Sequence, residues 1–406
     1  MQEKRSPEYL IGMNSIHIGT NFLWISFESY ILPIELINFV NNSLFLGFIA
    51  FIGTAAGVFI GLISGTASDK YTFLWGRRGP YIIIGVILTV FSIFLDEVMK
   101  INVFGILIGY IMIQVSSNIS VGAYQPLFVD FLHKDERGAA AGINGLFILI
   151  GSAMGYAVTG YFITVGKTIY GLIVISAVLI FTGILTTGTI KKDDSVIVHS
   201  RERLFKIFMD IFNLKKGIKS YIYVVLGSFM VFSGVVGLSF FELYFFKYIL
   251  NYSNPAYYVS IAGIVVLMVS ALASVVFGIF SDRVGRVKML LFTTLIGSLA
   301  MFLIPEFEKF TYFLIFGSMI GISYGIFMSV SKALASDMSP REEAGKFMAY
   351  YNIATGGASS ISPLIYGLIL FFVKSYSLGF KLVFYTAGVF FIIGFLLFLY
   401  VKISDQ

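Results

Sequence analysis

Twelve apolar runs, each long enough to cross a bilayer as a helix, constrain this chain more than any other feature. A bilayer core takes about 20 helical residues. The runs lie at roughly 9–36, 44–66, 80–97, 102–131, 138–165, 168–189, 219–249, 257–280, 289–305, 310–333, 345–373 and 380–402. Membrane barrels use strands of about ten residues that alternate polar and apolar. These runs do not, so the expected fold class is an all-α membrane protein with twelve transmembrane helices. Charged residues make up 12% of the chain, about half the roughly 25% of a soluble domain. Met1 to Glu8 leads directly into a full-length span and carries no cleavable-signal pattern.

The charge sorts by side. Lys and Arg residues number 22 in alternate loops and five in the others, and Lys247 lies within a span. The positive-inside rule makes the rich side cytoplasmic. Both termini are then expected in the cytoplasm and the chain in the cell membrane. Positive charge scattered over loops gives no footprint for nucleic acid. There is no cysteine, and His17, His133 and His199 are far apart, so no metal site is expected. No G-x-x-x-x-G-K-[ST] loop is present, which excludes an ATP-driven pump. No cofactor is expected, and an enzyme would need clustered catalytic acids or histidines that are not apparent.

A charged hairpin recurs. Ser68-Asp69-Lys70 with Gly76-Arg77-Arg78 follows the second run, and Ser281-Asp282-Arg283 with Gly285-Arg286 follows the eighth. Asp69 and Asp282 are 213 residues apart. The expected domains are therefore a six-helix bundle over 1–189, a cytoplasmic linker over 190–218 and a second six-helix bundle over 219–406. In the linker, Leu204, Ile207, Phe208, Ile211 and Phe212 share one helical face, which predicts a short amphipathic helix on the membrane surface. A flexible tether is the alternative.

An acid ending one helix and an Arg pair starting the next can latch loops together. Arg77 or Arg78 is expected to pair with Asp130. Asp69 and Arg137 complete the gate set in the first half, and Asp282, Arg286 and Asp337 repeat it in the second. Ordinary positive-inside anchoring is the alternative.

Polar groups inside spans are costly unless they face the bundle interior or a wet cavity. Asn14, His17, Asn21, Trp24 and Glu28 are spaced 3, 4, 3 and 4, and Glu35 follows, so they share one helix face. That face is expected to line an aqueous cavity, although Asn and His also bond helices together. A site for a hydroxyl-rich solute needs flat aromatics for apolar faces and amides or acids for hydroxyls. Trp24 can stack. Gln114, Asn118 and Gln125 offer amides, Tyr324 a hydroxyl, and Asn352 opens a run with Thr355, Ser359 and Ser362. For the Ser and Thr residues, a bond to their own helix is the alternative. Glu28 and Glu242 are embedded acids suited to carrying a proton. His17 suits proton relay or a helix contact. Lys247 and Glu242 could instead form a fixed gate pair.

Gly278-Ile279-Phe280-Ser281-Asp282-Arg283-Val284-Gly285-Arg286 resembles the loop signature of the major facilitator superfamily. Asp69 with Gly76-Arg77-Arg78-Gly79-Pro80-Tyr81-Ile82 resembles the glycoside–pentoside–hexuronide cation symporters. The resemblance is nearest the sucrose/proton symporter branch, and Thr72, Trp75 and Ile82-Ile83-Ile84-Gly85 are similar to the melibiose-carrier branch. Phe22, Trp24, Leu32 and Pro33 fit that group's first span. Asn118, Pro126, Asp130, Gly155-Tyr156-Ala157 and Asn352 also find counterparts. The resemblance implies two parallel six-helix bundles and proton-coupled import of a sugar or glycoside, disaccharides among them, by a monomer embedded in membrane lipid. It also places Glu242 and Lys247 where sucrose symporters carry an acid-rich stretch and an Arg. A uniporter, an exporter of small organic molecules, and a membrane sensor or enzyme are the alternatives. The chain departs from the sucrose pattern at Gln114 and Gln125, where those symporters carry Asp and Arg. It departs from the melibiose pattern in a second span without acids.

Overall fold

A computed structural model describes residues 5–71, 73, 76–133, 136–194, 219–339 and 344–402. Thr72, Trp75, the side chain of Asp282 and, beyond Asp194, the expected amphipathic linker helix lie outside the described residues. Twelve helical spans and no strand run through the described residues. They are α1 (7–36), α2 (Asn42–Lys70), α3 (Gly79–Met99), α4 (Val103–Tyr124), α5 (Arg137–Met154, continuing to Thr164), α6 (Thr168–Asp194), α7 (Lys219–Val235), α8 (Pro255–Val284), α9 (Arg286–Leu303), α10 (Phe310–Asp337), α11 (Ala344–Val373) and α12 (Tyr376–Leu399). Eleven are long and apolar enough to span a membrane, and α5 passes through a π-turn at Gly155–Thr159.

The twelfth, α1, is built from consecutive pieces: Pro7–Asn14, Ile16–Ser26, a π-turn at Phe27–Ile31, and Leu32–Leu36. The junctions keep right-handed helical angles, for example φ −61° and ψ −45° at Ser26, so the span is continuous. Its irregularity has a local cause. Pro33 has no N–H to give the Ser29 carbonyl, and its ring crowds that carbonyl. The Leu32 N–H reaches back five residues to Phe27 instead.

Caps and prolines set the helix starts. The Asn102 side chain accepts from Gly105 N–H at 2.9 Å, and Pro80 and Pro255 stand in first turns where their missing donor is harmless. Gly76 (φ 140°) and Gly285 (φ 101°) supply the left-handed backbone in the two charged hairpins. Asn41 and Asn251 adopt positive φ just before α2 and α8, a second sign of the repeat.

The chain forms two compact units. One comprises Met1–Phe39 and Ile52–Leu204, the other Val40–Phe51 and Phe205–Gln406. In the first, α3 packs along α4, and α1 lies against α5 and α6. In the second, α8 packs on α10, and α12 on α7 and α9. Both are tightened by glycine, as expected where lipid gives no hydrophobic drive to helix association. A Cβ on Gly122 of α4 would meet the Gly61 carbonyl oxygen of α2 at 2.2 Å, and one on Gly325 of α10 would meet the Ser270 carbonyl oxygen of α8 at 2.1 Å. The outward faces are apolar, with Phe91, Leu272 and Leu396 exposed, as a lipid-facing surface requires.

Replacing Gly122 by Ala is expected to destabilise the first unit by about 1–3 kcal/mol, because backbone cannot yield as a side-chain tip can. Gly142→Ala, with nothing within 4 Å of its Cβ, is the control. Thermal melts in detergent compare them, and equal melting points would refute the close-contact account.

Candidate functional site

In the first unit the polar face of α1 is brought to α4 and α5. Glu28 sits in the π-turn, a distortion that recurs at functional sites. Its carboxylate stands within interaction reach of the Gln114 amide of α4. The Gln114 Nε2 donates to the Tyr110 hydroxyl at 2.7 Å, and its Oε1 accepts from Asn118 Nδ2 at 3.3 Å. Glu28, Gln114, Asn118 and Tyr110 thus form one linked polar cluster. One turn before Glu28, the Trp24 indole Nε1 is buried and finds no acceptor among the described residues.

A second cluster lies toward the loop end of the same helices. The Tyr124 hydroxyl donates to Asn14 Oδ1 and accepts from Asn144 of α5 at 3.1 Å. His17 meets the Tyr124 ring edge-on at 4.5 Å. Asn14 and Asn21 also donate back to the Leu10 and His17 carbonyls at 2.7 and 2.9 Å. These two amides therefore serve partly as helix contacts.

Gln125 does not join its expected partners. α4 ends at Tyr124, and Pro126 opens a short helix, Leu127–Phe131, leaving Gln125 exposed at the turn. It lies about 10 Å along the axis from Asn118, on the side of the arginine loop.

In the second unit, Glu242 begins a short helix, Glu242–Tyr248, after α7 tightens into a 3₁₀ turn at Val236–Phe240. Both embedded acids therefore stand at distortions of the first helix of their unit. A tyrosine hydroxyl braces each distorted helix. Tyr30 donates to the Tyr156 carbonyl at 3.2 Å, and Tyr366 to the Ser233 carbonyl at 2.7 Å. Lys247 does not pair with Glu242; its ammonium lies 5.4 Å from the Tyr248 ring centroid. Tyr324 meets Phe232 edge-on, and Asn352 is exposed on α11. Among the described residues, Glu242 and Asn352 are not gathered into a bonded cluster like that around Gln114. Ser359 and Ser362 bond their own helix, at 3.2 and 2.8 Å.

At the charged loops, Asp130 accepts from both Arg77 and Arg78, with the Arg78 Nη2 at 2.9 Å and Nε at 3.1 Å. Arg78 also holds Asp69, the Ser68 hydroxyl and the Gly65 carbonyl. Its side chain is 1% exposed, so this is a buried ionic node rather than a surface pair. Arg286 reaches Asp337 at 2.7 Å, but Asp337 is 56% exposed. Arg137 is half-buried at the start of α5. Beside it, Glu136 accepts from the Arg5 and His133 backbone N–H groups. Burial opposes its charge, and those N–H groups outweigh it, holding the carboxyl below the ordinary Glu value.

The family model for the Major Facilitator Superfamily matches residues 15–271 and 254–405. The chain belongs to the major facilitator superfamily. Along 177 residues it is 25% identical to the sucrose transport protein SUC4 of Arabidopsis thaliana, covering 39% of this chain and 34% of that protein. It is 26% identical over 167 residues to a general alpha-glucoside permease of Schizosaccharomyces pombe, covering 37% of this chain and 30% of that one. It is 36% identical over 141 residues to the multidrug resistance protein MdtG of Serratia proteamaculans, covering 34% and 32%. The matched stretch thus spans about a third of each curated relative. Among solved structures, a bacterial homolog of the human lysosomal transporter Spinster superposes with TM-score 0.76 at 14% identity, over 99% of this chain and 100% of that one. The nucleoside transporter NupG gives 0.75 at 12% identity, over 97% and 99%. These likenesses establish the major facilitator fold. The chain is a multi-pass membrane protein of that superfamily.

Two features of the site were missed from sequence. Tyr110, Tyr124 and Asn144 looked like ordinary span residues, although Tyr110, four residues before Gln114, falls on the Gln114 face. The π-turn has a usable signal in Pro33, four residues after Ser29.

Proposed function

We propose that this chain is a secondary active carrier that imports a sugar or glycoside together with protons by alternating access, as a monomer in the cell membrane with both termini cytoplasmic. The observation that carries the reading is the cluster of Glu28, Gln114, Asn118 and Tyr110 beside the unpartnered Trp24 indole N–H. Amides, a carboxylate and a flat aromatic are what sugar hydroxyls and ring faces bind. The partial likeness to sucrose and alpha-glucoside carriers points the same way. In this reading Asn14, Asn21, Trp24, Gln114 and Asn118 are the substrate-contact residues of the first unit, and Tyr324 and Asn352 are candidate contact residues of the second taken by itself. Glu28 and Glu242 carry the proton, with His17 and Lys247 as auxiliary groups. The Asp69–Arg78–Asp130 node and the Arg286–Asp337 pair act as gates. Residues 1–189 and 219–406 are the two bundles.

Export of small organic molecules is the second reading, favoured by the 36% identity to a multidrug resistance protein. Purified protein in liposomes, given a panel of labelled disaccharides and glycosides and an imposed pH gradient, separates the two. Gradient-driven accumulation of a sugar is the expected result. Downhill flux without accumulation would make the chain a uniporter, and substrate-stimulated proton flux only with apolar drugs would make it an exporter.

A further inference from the structure

Neither the sugar-facing cluster nor the loop node uses the acids at the opposite end of the first unit. Asp96 lies in the last turn of α3, about 26 Å along the helix from the arginine loop. Its side chain is 2% exposed. It is wedged against α4, where a Cβ on Gly109 would meet its Oδ1 at 2.1 Å. The glycine leaves the room this carboxyl occupies. Its Oδ1 is buried and takes no protein donor. What stands beside it is another acid: the Glu35 carboxyl from the end of α1 is within hydrogen-bonding reach.

Two ionised carboxylates are acceptors only and repel each other. They can bond only when one holds a proton. Of the neighbouring charges, Glu97 and Lys100 act on both acids. These two pair with each other at 2.6 Å on the half-exposed rim, so Lys100 is already engaged. α4 brings Gly109 rather than a charge. The Lys100 charge reaches both acids from the rim, where it is paired with Glu97, and what would join the two carboxyls directly is a cation small enough to sit between two oxygens.

We propose that Glu35 and Asp96 form a proton-binding site in which one proton is shared between the two carboxyls. Loading adds one proton to the two carboxylates, and release returns both to the ionised form, leaving Asp96 without a donor. The site is separate from Glu28 and stands where α1, α3 and α4 end together. A proton arriving there would bind before reaching the cluster at Gln114. That last step rests on the proton-coupled reading; the site itself does not.

Infrared difference spectra of the purified full-length protein between acid and alkaline buffer test the site directly. The expected result is a protonated-carboxyl band that disappears in both Asp96→Asn and Glu35→Gln and is kept in Glu28→Gln. The double variant should lose no more than either single one, because the two groups hold one proton. Gel filtration and a thermal melt check folding, and the near-isosteric changes keep the shape. A band that survives in both single variants would overturn the proposal. So would a band that sodium titrates away at fixed pH, which would make the pair a metal-cation site. In liposomes, Asp96→Asn should lose the pH dependence of uptake while keeping exchange. If the wild-type protein shows the band but no proton-driven uptake, the transport reading fails and the site stands.

Discussion

Asp130→Ala is expected to cost the first unit about 3–5 kcal/mol, the penalty for stranding a buried charge. Asp130 is the shared acceptor for Arg77 and Arg78, whose side chains are 9% and 1% exposed. Without it, the acid left to Arg78, beside the Ser68 hydroxyl and the Gly65 carbonyl, is Asp69, which is 40% exposed, and Arg77 keeps Asp69 at 3.9 Å. Desolvating a guanidinium costs several kcal/mol unless charge and hydrogen bonds replace its water. The change should lower the melting point in detergent by several degrees. Arg78→Lys should recover little, because an ammonium cannot hold Asp130, Asp69 and the Gly65 carbonyl in one plane. Asp69→Asn, at the more exposed acid, should leave the melt nearly unchanged and slow transport. An Asp130→Ala protein that melts with the wild type would show that the node carries no folding energy. Wild-type transport in Asp69→Asn would remove its gate role.

The spans were legible because each needs about 20 apolar residues whatever its neighbours do. The pairing of Arg77 and Arg78 with Asp130 was legible too. Their loop positions leave a buried arginine few acids to choose among. Local helix geometry was less so. Periodicity places Asn14, His17, Asn21, Trp24 and Glu28 on one face but assumes 3.6 residues per turn throughout. It cannot register the extra residue that the π-turn inserts at Phe27–Ile31. Gln125 fell out of the amide row for a similar reason, since the helix stops one residue earlier. Asp96 reads in sequence as an acid at the interfacial end of a span beside Glu97 and Lys100. Only the packing of α3 on Gly109 takes it out of water.

Glu28→Gln is expected to abolish accumulation of sugar against a gradient and to leave exchange across the membrane working. Coupling requires a group that gains and loses a proton within the transport cycle. Gln114 and Gln125, at the positions where sucrose symporters carry an acid and an arginine, cannot titrate. Glu28 is the acid that sits next to one of them, within reach of the Gln114 amide and placed in the π-turn. The amide of Gln keeps the size and can still bond Gln114, so substrate contacts survive while the proton does not. Exchange needs no net proton release and should persist. The accumulation ratio should fall to near unity. Glu242→Gln tells which unit carries the proton. Its carboxyl, unlike that of Glu28, has no amide partner among the described residues, so the same change should weaken accumulation less. If both variants still concentrate sugar, the coupling proton rides on another group, with the Glu35 and Asp96 pair the next to test.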